Sequence, residues 1–282
     1  MNRTPGGRPP TAEQVYVRRD GAGPRVVARS SGVGFDREEA SLQAAVRFGA
    51  RPPGVRCPGA VFALTWRESH AAVAQVADLP AGPDDPDPPL GFRFLWFGRD
   101  DYPGDPFAVD RQFPADWSAA GDLPRVEWPA EWPAGRTVAD VQSVLKAGDG
   151  PLLLGTTQAL LDGGRVAVRR PSPDPDFVRG VWQLLPASSR LELRPATFAF
   201  SADLGFHAVA LPGPPPAGYL TEEQAKDYPE GRYELALQTA AEAGDQAELD
   251  RLFARKSSRD VLRLAVGMVL FAVAVAAVLR FF

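Results

Sequence analysis

A chain of 282 residues, 45% hydrophobic and 23% charged, has the composition of an ordinary globular protein of one or two domains. That excludes collagen, a wholly disordered chain and a polytopic membrane protein, while 29 Pro and 27 Gly promise many loops. The net charge of −4 is unevenly spread: from position 251 onward there are six basic residues and one acid, Asp260, which leaves 25 basic and 34 acidic residues before it. Such an acidic body repels phosphate backbones, so no nucleic-acid partner is expected.

Residues 1–13 lack an apolar pattern and read as a disordered arm. QVYVRR at 14–19 alternates like a strand, and RVVAR at 25–29 can return as its hairpin partner across Asp20-Gly21. A helix is expected over 36–48, with Asp36 as N-cap, Glu39 completing a capping box and Gly49 as the stop. Apolar strands follow at 60–66, 72–77 and 92–97, with a Pro-rich acidic loop over 79–90. Six prolines between 101 and 135 make that stretch irregular, and it reads as a seam between two units. Thr137 caps a helix over 138–147, and a further helix is expected over 152–161. Then come a strand at 165–170, a helix at 175–185 with Pro175 at its start, and strands at 191–200 and 206–211. Phe177, Val178, Val181, Trp182 and Leu185 recur at helical spacing and predict that helix's buried stripe. Thr221 with Gln224 forms a second capping box, opening helices over 222–243, broken at Pro229, and 245–256.

The strongest signal is the uninterrupted apolar run of sixteen residues over 264–279. Arg263 and Arg280 can snorkel, extending the usable helix to 261–282, about 33 Å at ~1.5 Å per residue. That spans a hydrocarbon core of about 30 Å. Its valines share no single face, which argues against a helix lying flat on lipid. Arg259 and Arg263 precede the run and only Arg280 follows it, so the positive-inside rule puts the N-terminal side in the cytoplasm. The first residues have no apolar core and are not a signal peptide. The expectation is a single-pass, tail-anchored protein of the inner membrane with its body in the cytoplasm.

The run GDPFAVDRQFPADW at 104–117, followed by Leu123-Pro124, resembles the N-terminal domain of bacterial GTPase-associated proteins. WQLLP at 182–186, Arg190 and Phe200-Ser201 are similar to that family's middle domain. The resemblance covers roughly 14–210 and implies an adaptor or regulator beside a GTPase, in a signalling or conflict system, with no catalytic residue to carry over.

Candidates for chemistry are few. Cys57, the only cysteine, cannot form an internal disulfide and fits a reducing compartment. With His70 it could make a thiol–imidazole dyad if adjacent strands bring the two together, which would make a membrane-tethered cysteine hydrolase. Far more often a lone cysteine is a small buried hydrophobe. GPLLLGTT at 150–157 has the glycine spacing of a phosphate loop, but Thr156 stands where the lysine belongs and Pro151 removes a backbone donor. Asp84, Asp85 and Asp87 could offer oxygens to a cation, yet Pro86, Pro88 and Pro89 stiffen the loop in an extended form. Trp117, Trp128 and Trp132 crowd a Pro-rich stretch and are candidates for partner binding. No cofactor or metal is expected.

The sequence therefore predicts an α+β protein: an arm (1–13), an N-terminal α+β domain (14–135), a middle α/β domain (136–218), a helical stalk (219–259) and a transmembrane anchor (260–282). The expected function is that of a non-enzymatic membrane-anchored adaptor, bound to the bilayer through 261–282 and to a protein partner, with a GTPase as the partner the resemblance implies.

Overall fold

The computed structural model describes residues 11–67, 69–80, 87–113, 121–127 and 135–254. Strands β1 (Thr11–Asp20) and β2 (Gly23–Ser30) form the expected hairpin. Asp20 accepts from Ala22 N–H, and Gly23 takes a positive φ of 101° that a side chain would resist. Helix α1 (Phe35–Arg47) starts one residue earlier than expected. Its N-cap is Gly34, without a side-chain bond, so the Asp36–Glu39 capping box does not form. Asp36 instead pairs with Arg67 at 2.6 Å. The helix stops as expected at Gly49, whose φ is 101°. A Cβ there would sit 2.6 Å from the Ser201 backbone nitrogen, so the close approach also requires glycine.

Strands β3 (Ala60–Trp66), β4 (His70–Asp78) and β5 (Leu90–Gly98) form an antiparallel meander, and β5 pairs with β1. The Pro-rich stretch beyond it contains helix α2 (Pro106–Asp110), capped by Asp105, and short strands β6 (Gly121–Leu123) and β7 (Val126–Glu127). Helix α3 (Val138–Ala147) is capped by Thr137 as expected, and Asp140 completes a capping box with it. Helices α4 (Gly150–Leu161) and α5 (Pro175–Leu184) flank β8 (Val166–Arg169), and every residue of the α5 stripe is buried.

The strand expected over 191–200 is mostly absent. Helix α6 (Ala187–Arg190) ends immediately before it, a turn and irregular chain take 191–194, and only Pro195–Ala196 remain as β9. Pro195 lacks the N–H a longer ladder would need. Beyond β9 the chain makes irregular bonds instead: Ala199 N–H to Ala210 O, and Phe200 and Ser201 N–H to Phe48 O. Strand β10 (Ala208–Leu211) pairs in parallel with both β8 and β9, so the parallel strands β8 and β9 lie apart with β10 between them.

Among the described residues the strands form one mixed sheet in the order β6-β2-β1-β5-β4-β3-β9-β10-β8, with β7 beside β1. The expected seam is thus crossed by the sheet: Phe62 pairs with Ala196, Thr197 N–H donates to Val61 O, and Val61 N–H donates to Thr197 Oγ1. The core crosses too. Phe48 packs edge-on against Phe200 at 5.2 Å, and Phe62 against Phe206 at 5.7 Å. Each such pair adds ~0.5–1.5 kcal/mol beyond its buried area. The opposite face of the sheet carries a smaller cluster, including Val73, Leu95, Phe97 and Val109 of α2.

Helices α7 (Glu222–Lys226), α8 (Arg232–Ala243) and α9 (Gln246–Phe253) open with the predicted Thr221–Gln224 box. They do not stand off as a stalk. Tyr233, Leu237 and Leu249 are buried in the main core, and the Tyr233 hydroxyl donates to Leu184 O at 2.7 Å. A Cβ on Gly155 of α4 would lie 1.9 Å from Ala225 O, so α4 and α7 touch backbone to backbone. No helix among the described residues is long and apolar enough to cross a membrane, and the 264–279 run lies outside those residues.

Candidate functional site

Cys57 and His70 are not brought together. Cys57 precedes β3 and is fully buried; its N–H donates to Asp78 Oδ2 at 3.0 Å, and Asp78 N–H donates to its carbonyl at 2.8 Å. His70 opens β4 opposite Trp66, at the other end of the hairpin. Asp78 and His70 lie eight positions apart on one strand, or about 26 Å at ~3.3 Å per residue. Burial, then the neighbouring Asp78 charge, pushes the Cys57 thiol up to about 12, so at neutral pH it is a protonated, inert thiol. His70 Nδ1 bonds Ser69 Oγ at 2.8 Å.

The phosphate-loop-like string at 150–157 is helical throughout. Its second half is buried and Thr157 Oγ1 donates back to Leu153 O, so its glycines serve helix packing. Asp84, Asp85, Trp117, Trp128, Trp132, Arg259, Arg263 and Arg280 lie outside the described residues. Among the described residues no group of three or more His, Cys, Asp or Glu is placed to hold a metal ion.

Among the described residues a groove of about 610 Å³ between α3, α4, α7 and α8 holds no arginine, while two other concave regions are lined by arginine. The first is a cleft of about 640 Å³ between α2, α3, α6 and α9. Here the segments quoted for the family resemblance meet: Trp182 Nε1–H donates to Gly104 O at 3.1 Å, and Arg190 lies 3.9 Å from Asp105. Asp105 also accepts from Phe107 and Ala108 N–H to cap α2. Arg136 donates from one guanidinium nitrogen to Gln183 O at 2.7 Å and Leu185 O at 2.6 Å, closing the end of α5. Its guanidinium lies 3.5 Å from the centre of the Phe253 ring. Burial and then Arg190 bring Arg136 down to about 9, still high enough to keep it charged at neutral pH. Arg111, Arg136 and Arg190 are matched in this lining by Asp105, Asp140 and Asp250.

The second is a pocket of about 450 Å³ at one end of the sheet, lined by Thr65, Arg67, Arg99, Arg165, Glu192, Arg194, Gly205 and His207. Strand register places these residues together. Arg67 follows β3 and Arg99 follows β5, while Arg165, Arg194 and His207 each immediately precede a parallel strand, β8, β9 and β10. Four arginines and a single acid, Glu192, line it, in a chain whose net charge is −4, and one of the four, Arg67, is itself paired with Asp36. Sequence reasoning missed this pocket. The signal was a cation bounding each apolar run, but only the strand order reveals which boundaries share one end of the sheet.

The chain matches no protein-family profile, no curated protein and no solved structure.

Proposed function

We propose that the protein is a membrane-anchored cytoplasmic adaptor or regulatory protein, held in the bilayer through 261–282, whose α/β body engages a protein partner without chemistry of its own. The observation that carries this reading is the sixteen-residue apolar run over 264–279, with Arg259 and Arg263 before it and Arg280 after it. The GTPase named as partner comes from the resemblance of 104–117 and 182–201. Burial and protonation of Cys57, with His70 at the far end of β4, argue against the cysteine-hydrolase alternative.

Fractionation tests the anchor. The full chain should remain with membranes after a high-salt wash, and a chain ending at Lys256 should move to the soluble fraction. A truncated protein that stays with membranes contradicts the anchor. Affinity capture of the full chain from detergent extract should then enrich one specific protein; repeated capture of none contradicts the adaptor.

A further inference from the structure

We propose that the basic pocket at the end of the sheet binds a phosphate-bearing small molecule, with Arg67, Arg99, Arg165 and Arg194 supplying its donors. This goes beyond the adaptor reading and does not depend on the anchor.

The pocket is assembled from separate segments, so its charge is no by-product of one basic run. Its arginines come from the β3–β4 turn, the end of β5 and the approaches to β8 and β9. They are held from behind. Arg165 lies over the Tyr219 ring at 5.9 Å, and the Tyr219 hydroxyl is fixed by donating to Phe206 O at 2.7 Å. The Arg194 backbone N–H donates to His207 Nδ1 at 3.0 Å. That bond makes Nδ1 the acceptor and leaves the ring proton of neutral His207 on Nε2.

The donors exceed the acceptors. Among the described residues Arg194 Nε is buried without a hydrogen-bond partner, and the residue's contact to Leu204 O is long at 3.4 Å. Among the described residues neither Arg99 nor Arg165 makes an ion pair; Arg67 pairs with the exposed Asp36. Burial, followed by repulsion from Arg165 and Arg47, holds Arg194 below the usual arginine range. Like charges crowded beside an unpaired buried donor destabilise the empty pocket, and an anion carrying more than one charge relieves both.

The chemistry selects phosphate. Guanidinium forks match the oxygens of a phosphoryl group two at a time, and several forks converging on one cavity suit a dianion or a diphosphate better than a single carboxylate. The volume falls within the range of about 300–1,000 Å³ for small-molecule sites. A free phosphorylated metabolite and a phosphomonoester lipid headgroup share this chemistry, and the experiment separates them.

The probe is inorganic pyrophosphate, titrated by calorimetry into the full-length protein in a neutral detergent at constant ionic strength. A saturable isotherm with one site is expected. Arg165 is exposed, so Arg165→Glu should keep the fold while weakening binding at least tenfold; Arg99→Ala should weaken it severalfold. Lys146→Ala, outside the pocket on exposed α3, should leave it unchanged. A parallel titration with short-chain phosphatidic acid identifies the source. Tighter binding of pyrophosphate indicates a soluble metabolite, tighter binding of the lipid indicates a headgroup, and either supports the site. No saturable binding of either probe, or binding that Arg165→Glu leaves intact, overturns the proposal.

Discussion

The cleft around Arg136 and the pocket around Arg165 put the same side chain to opposite uses. In the cleft, cations and carboxylates are equal in number, and Arg136 spends its donors on the carbonyls that end α5. In the pocket, four arginines line a wall with one carboxylate. Among the described residues a buried Nε without a partner occurs in both places, Arg190 in the cleft and Arg194 in the pocket, but only Arg190 has a carboxylate, Asp105, within 3.9 Å. A count of arginines does not separate structural from ligand-ready clusters. What separates them is whether the protein's own carboxylates already balance the cations: three against three in the cleft, one against four in the pocket.

The comparison breaks first at Arg136. Arg136→Ala strands two backbone carbonyls and removes a cation from the Phe253 face, which should lower the free energy of unfolding by about 3 kcal/mol. Chemical denaturation checks this, and a loss under about 1 kcal/mol would mean the cleft arginine is not structural. Trp182→Phe keeps the buried ring but leaves Gly104 O without its donor, for an expected loss of about 1–2 kcal/mol in the same assay. At the pocket, Arg165→Glu should shift stability by no more than about 0.5 kcal/mol without added anion. A loss as large as that of Arg136→Ala would erase the distinction.

A smaller effect sharpens it from a third place. The Glu222 carboxyl is held below its usual range mainly by the Arg170 bond, and Asp149 mainly by the Lys226 bond. Folded-state values below the unfolded ones contribute stability at neutral pH that is lost as pH falls through the folded values. Asp149 is exposed and Glu222 only partly buried, so solvent screens both pairs and the contribution is at most about 1 kcal/mol. Acidification below the ordinary carboxylate range should therefore speed hydrogen exchange in α7 before it affects the Phe48 core, and simultaneous loosening of both would contradict this.

Local signals were legible in the sequence where chemistry a few residues apart decides structure. The Thr137 cap, the Thr221–Gln224 box, the β1–β2 hairpin and the α5 stripe all follow from such spacing. The same logic failed at Asp36, because a competing partner, Arg67, lies 31 positions away. It failed again over 191–200, read as a strand, where Pro195 and the tie to Phe48 O impose a different backbone. The union of both halves in one sheet rests on the single register of Phe62 with Ala196, and the basic pocket depends on that union. Neither can be read from neighbours in the chain. Cys57 drew attention as a nucleophile on residue type alone, and burial beside Asp78 makes it a core residue.

The central claim is that one arginine cluster completes the fold while the other waits for an anion. Hydrogen exchange of the full-length protein in detergent, with and without saturating pyrophosphate, tests it most directly. The account predicts added protection in the segments around 65–70, 99, 165 and 194–207, with peptides covering 136 and 183–190 unchanged. Protection centred on 136 and 183–190, or no protection at the end of the sheet, would contradict it.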